Sequence, residues 1–238
     1  MAKYKRIIIK FSGEALANSK DSTILDREKV AKAALVIKKI RDQGVEVGVV
    51  VGAGNIWRGR LAATIGIEQS TADYMGMLGT IINALAIQSA VQERGVDCRV
   101  MSAIAVNQVC EPYIRLKAIS HLRKGIVPIF AGGTGNPYFT TDTNAALRAM
   151  EVGADAIIMA KNGVDGVYDS DPRTNPDAKL IKNLTFQELI QRRLGVMDLN
   201  AAVMLEGKGI EIRVFSMDDP SNFDRLLAGE EIGTRVAD

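Results

Sequence analysis

The sequence predicts an α/β fold built on a mostly parallel sheet covered by helices, and three observations carry that expectation. Short apolar runs rich in Val and Ile alternate with segments of helical period along most of the chain, as parallel strands joined by crossover helices require. Several of these runs end directly in glycine turns, the place where an open α/β sheet meets its ligand. A length of 238 residues suffices for one large α/β domain, or for two lobes sharing a sheet, and leaves nothing for a separate regulatory module.

The first strand is RIII at 6–9, a β-branched run bounded by basic residues. Lys10, Phe11, Ser12 and Gly13 are expected to leave it as a tight loop, in which glycine lets amide groups approach an anion beside a lysine. Residues 26–43 form a helix with Val30, Ala34, Ile37 and Ile40 at helical spacing and Gly44 as its stop. The strand at 46–51 runs into a second glycine turn, Gly52, Ala53, Gly54 and Asn55, with Arg58 just beyond. Residues 69–94 carry a long helical pattern: Met75, Leu78, Ile82 and Leu85 outline its apolar face, Ser89 interrupts it, Gly95 closes it, and Asp73 lies in its first turn. A strand at 99–104, a helix at 112–123 and a strand at 126–131 lead to the third glycine turn, GGTGNP at 132–137. Thr141 or Asp142 then caps a helix at 144–151, and 156–160 is a fifth strand.

Beyond Lys161 the pattern changes. Asp165-Gly166 and the proline-broken run 169–177 suggest a hairpin or ordered loop. Helices follow at 186–194 and 199–207, a late strand at 210–215 and a short helix at 222–229. Any lobe boundary falls near 153–161, so one domain would divide into lobes 1–155 and 156–238.

Composition narrows the partners. A formal net charge of +2, evenly spread, argues against nucleic acid or an anionic membrane, so any anion site must be local. Cys98 and Cys110 lack metal-ligand spacing, and two cysteines make no disulfide framework, which suits reduced thiols. MAKYKR passes directly into a strand without a signal peptide, and no apolar run approaches the ~20 residues that span a bilayer, so the expected location is the cytoplasm.

The commoner nucleotide motifs are missing. No GxxxxGK[ST] occurs, and neither Gly52-Ala53-Gly54 nor Gly133-Thr134-Gly135 has the third glycine of a dinucleotide fingerprint, which excludes a P-loop enzyme and speaks against a dehydrogenase. The one histidine, His121, sits in a helix among Leu122, Arg123 and Lys124, a surface or packing position, so no nucleophile with a histidine base is available. Phosphoryl transfer to an acceptor already ionised near neutral pH needs no base. A nucleoside monophosphate is such an acceptor, its second phosphate pKa being ~6. Positioning and positive charge then suffice, from Lys10, Arg58, glycine-turn amides and a carboxylate-held Mg²⁺. Taken singly, Arg58 also reads as a solvated loop arginine, Asp73 as a carboxylate stabilising a helix N-terminus, and Asp142 as a cap.

Six segments together resemble the bacterial uridylate (UMP) kinases of the amino acid kinase superfamily: KFSGEAL at 10–16, GAGNIWRG at 52–59, ADYMGML at 72–78, GTGNPYFTTD at 133–142, VDGVYDSDP at 164–172 and VMDL at 196–199. They span nearly the whole chain. The resemblance implies a three-layer α/β/α sandwich, assembly as a homohexamer, and the reaction ATP + UMP → ADP + UDP in pyrimidine nucleotide synthesis. It implies that Lys10, Phe11, Ser12 and Gly13 cradle the ATP phosphates, with Lys10 neutralising the transferred group, and that Gly54 and Arg58 touch phosphates at the donor–acceptor junction. Asp73 would take the UMP ribose hydroxyls, with Ala53 beside the same ligand. Thr134, Gly135, Asn136 and Pro137, continuing through Tyr138, Phe139, Thr140 and Thr141, would wrap UMP. Asn162, Tyr168 and Asp171 would hold the adenine nucleotide. Asp198 would organise the Lys10 and Mg²⁺-ATP end, with Asp142 the weaker candidate.

The chain also departs from the family. Ala53 stands where three successive glycines are usual, so the backbone approach to UMP must accommodate a methyl group. Residues 17–23 are short and lack the glycines of GTP-activated relatives, and Gln88 and Gln92 stand where some GTP-responsive members are basic. These departures leave GTP activation open, while allosteric control and inhibition by UTP, an analogue of the product UDP, fit the resemblance. Two other readings stand beside this one: a kinase for a carboxylate or carbamate acceptor, and a non-catalytic nucleotide-binding protein on the same fold.

Overall fold

Strand β1, Arg6–Phe11, buries Ile7, Ile8, Ile9 and Phe11 completely, as a strand must when both faces of its sheet are covered. The computed structural model describes residues 3–18, 22–161, 163–172, 174–217, 219 and 221–238, together with backbone only at 60, 160 and 161. On one side β1 pairs in parallel with β2, Glu46–Val51, and on the other with β6, Ala156–Lys161. Outside β2 lie β5 (Val127–Ala131), β3 (Cys98–Ser102) and β4 (Glu111–Pro112); outside β6 lie β10 (Glu211–Ser216), β11 (Thr234–Val236) and β9 (Asn183–Leu184). The nine-stranded order is β4-β3-β5-β2-β1-β6-β10-β11-β9, and within it only the β10–β11 pair is antiparallel. Strands β7 (Val167–Tyr168) and β8 (Leu180–Ile181) form a separate antiparallel ribbon.

Alternation along β1 sorts the helices into two layers. Ile7, Ile9 and Phe11 face the cluster that includes α1 (Arg27–Asp42), α2 (Gln69–Gln92) and α7 (Ser221–Leu227). Ile8 faces α3 (Arg115–Arg123), α4 (Thr141–Val152), α5 (Phe186–Gln191) and α6 (Leu199–Leu205). The result is the expected three-layer α/β/α sandwich. The crossover from β1 runs through α1 to β2 on one side and the chain from β6 runs through α5 and α6 to β10 on the other, so a topological switch point falls between β1 and β6 and opens a crevice at their carboxyl ends. The sheet runs unbroken through 153–161, where the sequence suggested a lobe boundary, because β6 lies beside β1.

Several elements differ from the sequence expectation for identifiable reasons. Lys10 and Phe11 still belong to β1, and the loop begins at Ser12. Helix α4 starts at Thr141, capped by Thr140, whose hydroxyl accepts from the amides of Asp142 (3.1 Å) and Thr143 (3.3 Å); its first turn is too polar for the apolar period to mark it. The two- or three-residue strands β4, β7, β8, β9 and β11 are too short to show a period, and the ribbon β7–β8 is joined across 169–179 rather than at Asp165-Gly166.

The largest correction concerns α2. Leu78 and Ile82, expected to face inward, are 49% and 50% exposed. The inner side is made of Ala72, Gly79, Thr80, Asn83 and Ala84 with Met77, Ile81, Ile87 and Val91, small residues that let the helix lie close against the strand ends. By length and composition α2 is apolar enough to span a membrane, contrary to the expectation that no run approaches that size; its inner side is packed on the sheet and carries hydrogen-bonded Thr80 and Asn83.

Ile8 fills the second face of the sheet beneath α4. Replacing it with alanine is expected to cost about 2–5 kcal/mol, read as a lower urea midpoint with an unchanged denaturant slope.

Candidate functional site

The first two glycine turns touch. A β-carbon on Gly13 would lie 2.3 Å from Asn55 Oδ1 and 2.8 Å from both Gly52 O and Gly54 N, so only glycine fits there. Ser12 makes the turn by capping a short 3₁₀ segment, Gly13–Leu16, its hydroxyl accepting from the Ala15 amide at 3.2 Å. The Gly52 amide donates to Phe11 O at 3.0 Å, fastening the end of β2 to the end of β1. Thr141, at the start of α4, closes over the same place: a β-carbon on Gly52 would stand 3.3 Å from its hydroxyl.

Helix α2 holds the second and third turns from one side. Asn83, fully buried, donates to Gly52 O at 2.7 Å and exchanges amide hydrogen bonds with Asn55 at 2.8 and 3.1 Å. One turn of helix earlier, Thr80 Oγ1 accepts from the Gly132 amide at 2.9 Å. Gly132 and Gly133 both have left-handed backbone, at φ 73° and 57°, which turns the chain sharply out of β5. Thr134 Oγ1 then accepts from the Asn136 amide at 3.2 Å, and Asp73 Oδ2 accepts from the Tyr138 amide at 2.8 Å, fixing both ends of the following loop. Asp73 Oδ1 accepts from Gln69 at 2.8 Å and faces Gly59. Tyr138 and Phe139 are exposed at the loop tip.

Two cations stand at this junction. Lys10 Nζ pairs with Asp142 Oδ1 at 2.9 Å, both side chains mostly buried. Asp142 lies in the first turn of α4, whose positive end also favours an anion. Arg58 donates from Nε to Gly54 O at 3.2 Å and pairs through Nη2 with Glu14 at 2.5 Å, with both side chains largely in solvent. Asp198 does not meet Lys10. It caps α6, accepting from the Ala201 amide at 2.9 Å, while its other oxygen accepts from the hydroxyls of Thr140 and, at 3.0 Å, Thr143. Among the described residues no group of three or more His, Cys, Asp or Glu side chains gathers as a metal centre.

Beyond β6 a cleft of about 530 Å³ is lined by Tyr168 and Asp171 from one side and by Arg192, Arg193 and Val196 from the other. Asn162 lies outside the described residues. Phe11 buries its side chain completely in the core, so its backbone is what meets the turns. Gly13, Gly54, Arg58, Thr141 and Lys10 with Asp142 gather around the first two turns, and Asp73 joins the third. His121 pairs with Glu111 at 2.9 Å on the β4 edge, apart from the turns. The reading missed Glu14, Thr80, Asn83, Thr143, Arg192 and Arg193. Thr80 and Asn83 left a trace, as polar positions inside an apolar helix, but the pattern placed the inner face one step away.

The methyl of Ala53 has its own partner. It points at α2, where a β-carbon on Gly79 would come within 2.9 Å of it. Gly79→Ala is therefore expected to lower both the thermal midpoint and the turnover by pressing on the second turn, and Ala53→Gly combined with Gly79→Ala should restore both. Overpacking of this kind costs about 1–3 kcal/mol. A double variant no better than the single one would show that the two positions do not press on each other.

Comparison with known proteins agrees with this geometry. The model of the amino acid kinase family matches residues 5–216. The uridylate kinase of Pediococcus pentosaceus is 48% identical over 234 residues, covering 98% of this chain and 97% of that protein. That of Rubrobacter xylanophilus is 51% identical over 233 residues, covering 98% and 91%. The crystal structure of UMP kinase from Bacillus anthracis superposes with a TM-score of 0.95 at 41% identity, covering 99% of this chain and 96% of that one. The sandwich, the three turns and the match along nearly every residue agree: the chain belongs to the amino acid kinase family, and within it to the uridylate kinases.

Proposed function

We propose that the protein transfers the γ-phosphoryl group of ATP to UMP, giving ADP and UDP. The observation that carries this reading is the meeting of the strand-end turns around Lys10 and Arg58, with Asp73 anchoring the third, in a chain of this family. The turns and cations offer amide dipoles and positive charge where two polyphosphates must approach each other against their repulsion. The UMP phosphate is dianionic near neutral pH, so its oxygen attacks without a protein base and the site need only align and neutralise.

In this reading Lys10, oriented by Asp142, faces the transferred group, and amides at Ser12, Gly13 and Gly54 line the phosphates. Arg58 exchanges Glu14 for phosphate oxygens. Asp73, a carboxylate with lone pairs to spare, accepts from the ribose hydroxyls, and the loop from Thr134, Gly135, Asn136 and Pro137 through Thr141 encloses the acceptor. Tyr168 and Asp171 wall the adenine nucleotide, with Arg192 and Arg193 adding charge to the same cleft. The Mg²⁺ that accompanies ATP binds mainly to phosphates and water and asks for one or two carboxylates, which Asp142 and Asp198 can supply without a dedicated cage. Bound there, the ion would add positive charge on the donor phosphates.

The exposed stripe Tyr74, Leu78 and Ile82 on α2, with Leu61 and Ile65 nearby in sequence, supports self-association, and a homohexamer in the cytoplasm is the assembly we infer. UTP is inferred as an inhibitor on the acceptor side, since it is the product with one further phosphate.

A coupled ADP-release assay with ATP, Mg²⁺ and a panel of monophosphates tests the reaction: UMP should be the preferred acceptor, and turnover confined to another monophosphate would overturn it. Lys10→Ala should lower kcat about 10²–10³-fold, the usual loss for one preorganised electrostatic donor. Asp73→Asn should raise KM for UMP about tenfold and leave KM for ATP unchanged, which a kinase with a riboseless acceptor would not show.

A further inference from the structure

We propose that Arg148 is a positioning residue for the acceptor side, holding the third glycine turn so that the Thr134 amide faces the ligand; the assignment rests on the functional reading above. Arg148 is 3% exposed, and an arginine is buried to that extent only when its charge and donors are satisfied. Its guanidinium lies 3.7 Å over the Tyr113 ring, Nη1 pairs with Glu151 at 2.5 Å, and Nη2 donates to the carbonyl of Gly133 at 3.3 Å. Tyr113 donates to the same Glu151 oxygen at 2.5 Å and packs edge-on against Phe130, and Arg115 ties down the Glu151 carbonyl at 2.6 Å. The guanidinium is thus fixed in the core, with one edge left for the turn.

The consequence follows from peptide geometry. The Gly133 carbonyl and the Thr134 N–H belong to one planar trans peptide and point in opposite directions. Drawing the carbonyl down toward buried Arg148 directs the Thr134 amide up and away from the core. The Gly132 amide is held from the α2 side by Thr80, so the two left-handed glycines are pinned from both flanks. Without Arg148 the Gly133–Thr134 peptide is free to rotate and the amide loses its aim.

The test compares Arg148→Lys with the double variant Arg148→Met, Glu151→Gln, which strands no buried charge. In the double variant KM for UMP should rise about tenfold, the size of one lost charge-assisted hydrogen bond, with KM for ATP unchanged. Arg148→Lys, which keeps the charge but not the fork, should fall between it and the unaltered protein. A lower thermal midpoint with both KM values unchanged, or equal rises for both substrates, would make Arg148 a packing residue only and overturn the proposal. If the double variant does not fold, Arg148→Lys decides alone, an unchanged KM for UMP again overturning it. Failure of the unaltered protein to turn over UMP is a different result: it removes the functional reading, and this assignment with it.

Discussion

The contact between backbone and backbone at residues 13 and 52–54 is the constraint on which the rest of the site depends. Two parallel strands side by side deliver their loops some five ångströms apart. Loops bearing side chains would have to splay from there. Gly13 removes the obstacle, and the second turn settles directly against the first, with the Gly52 amide joined to Phe11 O. Lys10, one residue back from the end of β1, is thereby placed at the seam, and the start of α4 closes on it through Asp142 and Thr141. A methyl group at residue 13 would move all of these at once.

Charge in the site is arranged on two scales of strength. The Lys10–Asp142 pair is largely shielded from water, where an ion pair keeps much of its Coulomb attraction, so the ammonium group is held in one position. Arg58 and Glu14 meet in solvent, where such pairs contribute about 0–1 kcal/mol, so breaking this pair costs little, as the proposed exchange of Glu14 for phosphate requires. One cation is a fixed post and the other a movable clamp. That division suits a site that must grip a polyanion and then let it go.

The helix-covered parallel sheet and its three turns were legible because they rest on short-range rules, β-branched runs, helical period and glycine at strand ends; the three-layer arrangement came with the family resemblance. Motif segments added the residues proposed to face the ligand, Lys10, Arg58 and Asp73 among them. What the sequence hid is what holds those residues from behind. Asn83 and Thr80 act across 31 and 52 positions of chain, on Gly52 and Gly132, and no local pattern registers a hydrogen bond of that span. The same holds for Arg148 on Gly133, while Asp142, named from the sequence only as the weaker candidate, is the carboxylate that pairs with Lys10, and Asp198 is taken up in capping α6. Helix α2 misled for another reason: its large apolar residues set the period while its small ones make the contact.

That inversion on α2 joins two features of the molecule. The inner side carries Thr80 and Asn83, one bound to each of two glycine turns, and Gly79, fitted to the methyl of Ala53. The outer side carries Tyr74, Leu78 and Ile82 in solvent, each a turn of helix from the next. An α-helix of 24 residues moves as a rod, so a shift of α2 that displaces the second turn displaces the third with it. The spacing between the two turns is therefore set by α2 rather than by either loop alone. Bound to one helix, the two loops keep a fixed separation, which the proposed phosphoryl transfer between two facing phosphates would require.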